Sequence, residues 1–202
     1  MYAGMAQSIE AKESDATADD RQALRIHVAS GVIAAAAFLE ATINEFFAAA
    51  YHNNLAGVAR PLRVRVSTFW RDWLSRPGRA STLEKYQLAL WCTESEQFRS
   101  GADPYQSADD LIFLRNYLVH FEPAFALLSG PTLSPASKSR RRLQNLEGQR
   151  FKRSPLATSA AVFPDEAMGY DCARWAADTA LNFTDEFYKR VGVNPPYRFE
   201  SG

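Results

Sequence analysis

Three residues have the types and spacing of a site that handles phosphate and protons: Arg115, Asn116 and His120, inside the stretch LIFLRNYLVHFEPAFALL from Leu111 to Leu128. An imidazole exchanges protons near neutral pH and can serve as general base or general acid. A guanidinium stays charged and can hold phosphate oxygens in a forked geometry as negative charge builds on them. On a helix, Asn116 lies one turn from His120 on the same face, so its amide can orient either the imidazole or a phosphate oxygen. Arg115 lies about 140° round the axis from His120 at about 3.6 residues per turn. One helix does not easily bring both onto a single small target. Two copies packed together supply an Arg and a His from opposite sides, so the spacing predicts a homodimer.

The same stretch is almost wholly apolar, which predicts burial, and buried ionisable side chains need partners. Tyr117 and Glu122 flank the group. Glu122, seven positions after Arg115, is the main rival partner, because an Arg115–Glu122 pair would occupy the guanidinium. The plain structural alternative is a buried salt bridge beside a hydrogen-bonded core histidine. Pro123 removes a backbone donor and predicts a kink or break near residues 120–122. A second polar pair inside an apolar helix, Glu40 and Asn44, sits among Phe38, Leu39, Ile43, Phe46 and Phe47. These two are expected to satisfy each other, to cap a neighbouring helix, or to line the same pocket as Arg115 and His120.

One strongly basic segment follows the central stretch. KSRRRLQNLEGQRFKR carries Lys138, Arg140, Arg141, Arg142, Arg150, Lys152 and Arg153 against a single acid, Glu147. It lies in residues 129–164, where Gly130-Pro131, Pro135 and many serines predict an irregular insertion. Long loops of this kind tend to be functional or disordered. A basic run can track nucleic-acid phosphates without reading sequence, so these seven cations are the candidate RNA-binding residues.

The elements that must position these groups read as helices. Residues 1–19 are polar and acidic and are expected to form a flexible leader, without the basic start and apolar core of a signal peptide. A long helical pattern runs from about Asp20 to Tyr51, with Asp19 or Asp20 as its cap. Its apolar run, Val28 to Leu39, stops at Glu40 and is too short to span a bilayer. Pro61 to Leu74 predicts a short helix or an irregular bridge whose tryptophans belong to the core. Ser81 to Phe98 predicts an amphipathic helix opened by a capping box at Ser81 and Glu84. Ser107 is placed to cap the central helix. A final helix from about Pro164 to Val191 repeats apolar residues at three and four, and Gly192 and Pro195-Pro196 stop it before a tail at 193–202. The sequence therefore predicts an all-α chain: one antiparallel helical bundle over residues 20–192, with four to five main helices and the basic insertion before the last.

Composition removes several classes. The 202 residues carry 23 basic and 23 acidic side chains, so any attraction for nucleic acid must be local. Cys92 and Cys172 fit no metal or redox spacing and suit a reduced, cytoplasmic chain. Three histidines, His27, His52 and His120, make a multi-histidine metal site within one chain improbable. Phosphate-binding glycine loops, GxSxG, HExxH and calcium loops do not occur. Neither a metal nor a cofactor is expected, nor a membrane partner.

Arg115-Asn116-Tyr117-Leu118-Val119-His120 resembles the Rx4H signature of the HEPN superfamily, the higher eukaryotes and prokaryotes nucleotide-binding domains. FLEATINEFF, Phe38 to Phe47, is similar to the first long helix of many bacterial HEPN proteins. With the helical pattern around them, the likeness covers roughly Asp20 to Gly192. It departs from a compact HEPN bundle in the long basic insertion. The resemblance implies a dimerising bundle with two Rx4H helices at the interface. It further implies a metal-independent ribonuclease that uses the RNA's own 2′-hydroxyl and leaves a 2′,3′-cyclic phosphate. Such proteins act in toxin–antitoxin, anti-phage and RNA-processing systems. Others are inactive dimerisation or binding modules, for example ones that pair with a nucleotidyltransferase-like antitoxin. On this likeness Arg115, Asn116 and His120 are the catalytic residues, with Glu40, Asn44, Tyr117 and Glu122 as possible pocket support.

Overall fold

The computed structural model describes residues 1–12, 15–55, 57–74, 80–120, 141–143, 145–146, 148–157 and 167–197. The chain is an all-α helical bundle, as the periodicities predict. The described helices are α1 (Tyr2–Glu10), α2 (Ala18–Tyr51), α3 (Arg60–Phe69) with a π-helical turn at Trp70–Leu74, α4 (Thr82–Cys92), α5 (Tyr105–Val119) and α6 (Tyr170–Val191). The chain divides into two compact units. The first is Met1–Ala36 with Asp110–Asp178, and the second is Ala37–Asp109 with Thr179–Gly202. Helices α2, α5 and α6 each contribute residues to both.

The local sequence signals explain most helix ends. Thr17 and Asp20 bond reciprocally at the start of α2, Asp20 N–H to Thr17 Oγ1 at 3.1 Å and Thr17 N–H to the Asp20 carboxylate at 3.0 Å. Asp20 therefore completes a cap whose first residue is Thr17. The capping box of α4 forms as predicted, with Ser81 N–H donating to Glu84 at 2.7 Å and Glu84 N–H to Ser81 Oγ at 3.4 Å. At α5 the cap is Asp103, which accepts from Ser107 N–H and Oγ–H at 3.1 and 2.6 Å; Ser107 is inside the helix. At the end of α6, Gly192 has φ +80°, and the N–H groups of Gly192 and Val193 both reach Tyr188 O. This is the glycine stop expected there.

Three expectations are corrected. The acidic leader contains a helix, α1, with Ala6 fully buried. The helix predicted over 81–98 stops at Cys92. Thr93 Oγ1 bonds back to Ala89 O, Glu94 turns left-handed at φ 57°, and the chain folds back so that Gln87 bonds both N–H and C=O of Phe98. Lastly, α2 continues unbroken through Glu40 for 34 residues. Its best 18-residue window has a mean hydropathy of 1.7, so by length and composition this helix is able to cross a membrane. Leu24, Val28, Val32 and Ala36 on the same helix are buried in the first unit, and Leu39, Ile43, Phe46 and Phe47 in the second.

The first unit is joined by small residues and carboxylates. Gly31 lets α2 approach α1 and α6: a Cβ there would meet Tyr2 Cβ at 3.4 Å and Ala173 Cβ at 3.7 Å. Glu10 of α1 accepts from Ser154 Oγ at 2.7 Å and from Tyr170 N–H, at the start of α6, at 3.1 Å. The second unit is an aromatic cluster. Tyr86 meets Phe183 and Phe187 edge-on with centroids 4.8 Å apart, Phe98 stacks on Phe183 at 4.6 Å, and Phe47 stacks on Trp70 at 5.4 Å. Tyr86 Oη donates to Leu39 O at 2.9 Å, which satisfies the buried phenol. The tail is not loose as far as Tyr197, whose hydroxyl reaches Thr184 and Asp185 at 2.7 and 3.0 Å.

Candidate functional site

Helix α5 carries the Arg–Asn–His group, and its faces decide what that group can do. Ala108, Leu111 and Leu114 recur at three and are fully or almost fully buried. Residues about 100° to 180° round the axis point away from that stripe. Asn116, Val119 and His120 are exposed, while Arg115, Tyr117 and Leu118 are half-buried. The segment is thus not the uniformly buried helix its composition predicts. The last regular residue is Val119, and His120 follows in a bend whose N–H still reaches Asn116 O at 2.9 Å. That bond keeps Asn116 and His120 on adjacent turns at the exposed end of the helix. Arg115 and Tyr117 both interact with other groups of the chain. Glu122 and the kink expected at Pro123 lie outside the described residues.

The basic segment behaves differently from an irregular insertion. Its residues 141–143, 145–146 and 148–149 are helical, with Leu143 and Leu146 buried, and Phe151 packs on Trp175 at 5.3 Å. The apolar pair at i and i+3 inside LQNLEGQRF folds this half of the segment onto the first unit, overriding its charge density. Two of its cations are held inward. Asp110 of α5, only 7% exposed, accepts from Arg142 Nε and Nη2 at 3.1 and 2.8 Å and from Arg150 Nε at 3.2 Å. Arg142 also lies over the Phe113 ring, 4.3 Å from its centroid. Both guanidiniums are therefore engaged with a carboxylate. Arg141, Lys152 and Arg153 are exposed. Lys138 and Arg140 lie outside the described residues.

Asp110 is the residue that sequence reasoning missed. Its signal was an acid directly before the apolar run Leu111–Leu114, on a helix followed by an arginine cluster. A carboxylate at such a place is buried only with cations to pair it. Glu40 and Asn44 belong to the second unit, where Asn44 Oδ1 accepts from Lys85 Nζ at 3.0 Å. Among the described residues no three His, Cys, Asp or Glu side chains are grouped to hold a metal ion. Cys92 and Cys172 are free and buried, and burial pushes both thiols up.

Comparison of the chain with models of known protein families, with curated proteins and with solved structures finds no match.

Proposed function

We propose that the chain is a metal-independent endoribonuclease of the HEPN type, acting as a toxin or anti-phage effector in the cytoplasm. The observation that carries this reading is the exposure of Asn116 and His120 on adjacent turns at the end of α5, beside Arg115 in Rx4H spacing. An apolar helix that ends in a solvent-facing amide and imidazole, next to exposed Val119, suits a face completed by a second copy. In that dimer, Arg115 holds the scissile phosphate as negative charge accumulates on it. His120 removes the proton of the 2′-hydroxyl, whose oxygen attacks phosphorus. The bond to the 5′-oxygen breaks, and that oxygen is protonated by the imidazole of the second copy, leaving a 2′,3′-cyclic phosphate. Exposed Arg141, Lys152 and Arg153 attract the RNA backbone, and no metal takes part.

The test is RNA cleavage in EDTA by wild type and by the Arg115→Ala/His120→Ala variant, with product ends identified. Cyclic-phosphate ends made by wild type alone support the reading. Equal cleavage by both proteins, or none by a folded dimeric wild type, overturns it. A second reading, a non-catalytic HEPN module that dimerises or pairs with an antitoxin, is favoured by one observation: Arg142 and Arg150 turn their charge onto Asp110. It predicts a dimer or a stable complex without cleavage.

A further inference from the structure

A pocket of about 610 Å³ opens in the second unit, lined by none of Arg115, Asn116 and His120. Its walls include Phe46, Leu55, Val193 and Pro196, with Glu45 and Tyr188 as the lining groups that carry acidic or phenolic oxygens. It is shaped by backbone as much as by side chains. Gly57 sits at φ +83°, where a Cβ would come within 2.8 Å of Val193 Cγ1, so Gly57 packs directly on the chain that follows α6.

Three features bear on what this pocket can hold. Glu45 is exposed and is the one ionisable carboxylate among the lining residues, with no Lys, Arg or His beside it. The lining comes from the C-terminal ends of two helices: Ala49 precedes the end of α2, and Tyr188 and Gly192 bracket the end of α6. Helix C-termini carry partial negative charge from aligned carbonyls. Tyr188 is only 3% exposed, yet among the described residues nothing hydrogen-bonds its hydroxyl, whereas the phenols of Tyr86 and Tyr197 are both satisfied. Burial, with Tyr197 and Glu45 nearby, pushes the Tyr188 phenol up, so it stays neutral and can accept from a donor in the pocket.

We propose that this pocket binds a small organic ammonium ion with an apolar body. The apolar part lies against Phe46, Leu55 and Pro196, and the ammonium donates to the Tyr188 hydroxyl and the Glu45 carboxylate. The Glu45 carboxylate and the two helix C-termini exclude carboxylates and phosphates of the same shape. Nothing in this assignment depends on RNA cleavage.

The probe is 2-phenylethylamine, with 3-phenylpropionate as the anion of matching shape, titrated calorimetrically into the full chain near neutral pH. The amine binds and the carboxylate does not. Glu45→Gln weakens amine binding about tenfold, the worth of one hydrogen bond to a charged group. Tyr188→Phe weakens it severalfold without lowering the melting temperature, because the lost hydroxyl has no hydrogen-bond partner among the described residues. Ala49→Leu fills the pocket and abolishes binding. Because a filled pocket and a misfolded chain look alike in a titration, circular dichroism melts of this variant accompany it. Equal binding of amine and carboxylate, no binding of the amine up to about 10 mM, or undiminished binding to folded Ala49→Leu each overturns the proposal.

Discussion

The two units are stabilised by different chemistry. In the first, long-range order comes from carboxylates: Glu10 ties α1 to Ser154 and to the start of α6, and Asp110 ties the basic segment to α5. In the second it comes from rings, with Phe46, Tyr86, Phe98, Phe183 and Phe187 in mutual contact. The difference teaches where each unit is sensitive. Aromatic packing responds to volume, because cores near crystal density cannot refill a lost ring. Carboxylate clamps respond to charge, because one removed partner leaves the others buried and unpaired.

The largest effect expected is in the aromatic unit. Phe183 is fully buried and touches Tyr86, Phe98 and Tyr105. Phe183→Ala should cost about 3–5 kcal/mol in urea unfolding. A loss near that of an exposed residue would break the contrast between the units. Next comes Asp110→Ala, which removes the carboxylate shared by two guanidiniums. Arg142 keeps 36% of its side chain in solvent, so the cost falls below the roughly 3–5 kcal/mol of a fully buried pair, to about 2 kcal/mol. Limited trypsin digestion should also cut faster after Arg142 and Arg150 in this variant. Unchanged digestion would mean that Leu143, Leu146 and Phe151 hold the segment without the ion pairs.

Ser81→Ala removes a local cap in the aromatic unit and should cost about 1 kcal/mol. A cost above that of Asp110→Ala would show that polar contacts matter as much in the second unit as in the first. The smallest effect concerns acid. Hydrogen bonds from Lys12 and Thr17 hold the Asp20 carboxyl down from 3.8 to about 2. A depressed carboxyl contributes stability that is present above its ordinary value and lost as pH falls through its folded one. Melts between about pH 4 and pH 2 should therefore drop less steeply for Asp20→Asn than for wild type. Parallel acid limbs would remove this contact from the charge-sensitive set.

Much of the fold was legible without coordinates. Capping chemistry at Ser81 and Glu84 and the glycine stop at Gly192 are local, and short-range hydrogen bonds obey local sequence. The spacing that unites Asn116 and His120 on one face follows from helix geometry alone. What composition misjudged was exposure. LIFLRNYLVHF reads as buried throughout, but a helix buries one stripe, and only its neighbours decide which. The basic run reads as an irregular insertion because charge dominates its composition, while Leu143, Leu146 and Phe151 are buried in it and Arg142 and Arg150 pair with Asp110.

By itself, then, the sequence determined the helical class, the ends of helices with local caps, and the presence of an Arg–Asn–His group in one register. These depend on contacts within a few residues and on the periodicity of a single helix. Only the tertiary structure decided that Asp110 faces Arg142 and Arg150, that Glu10 reaches the start of α6, that the chain forms two compact units, and that Tyr188 keeps at a pocket a hydroxyl with no hydrogen-bond partner among the described residues. Each joins residues 30 or more positions apart or depends on a space left unfilled, and neither leaves a periodic trace along the chain.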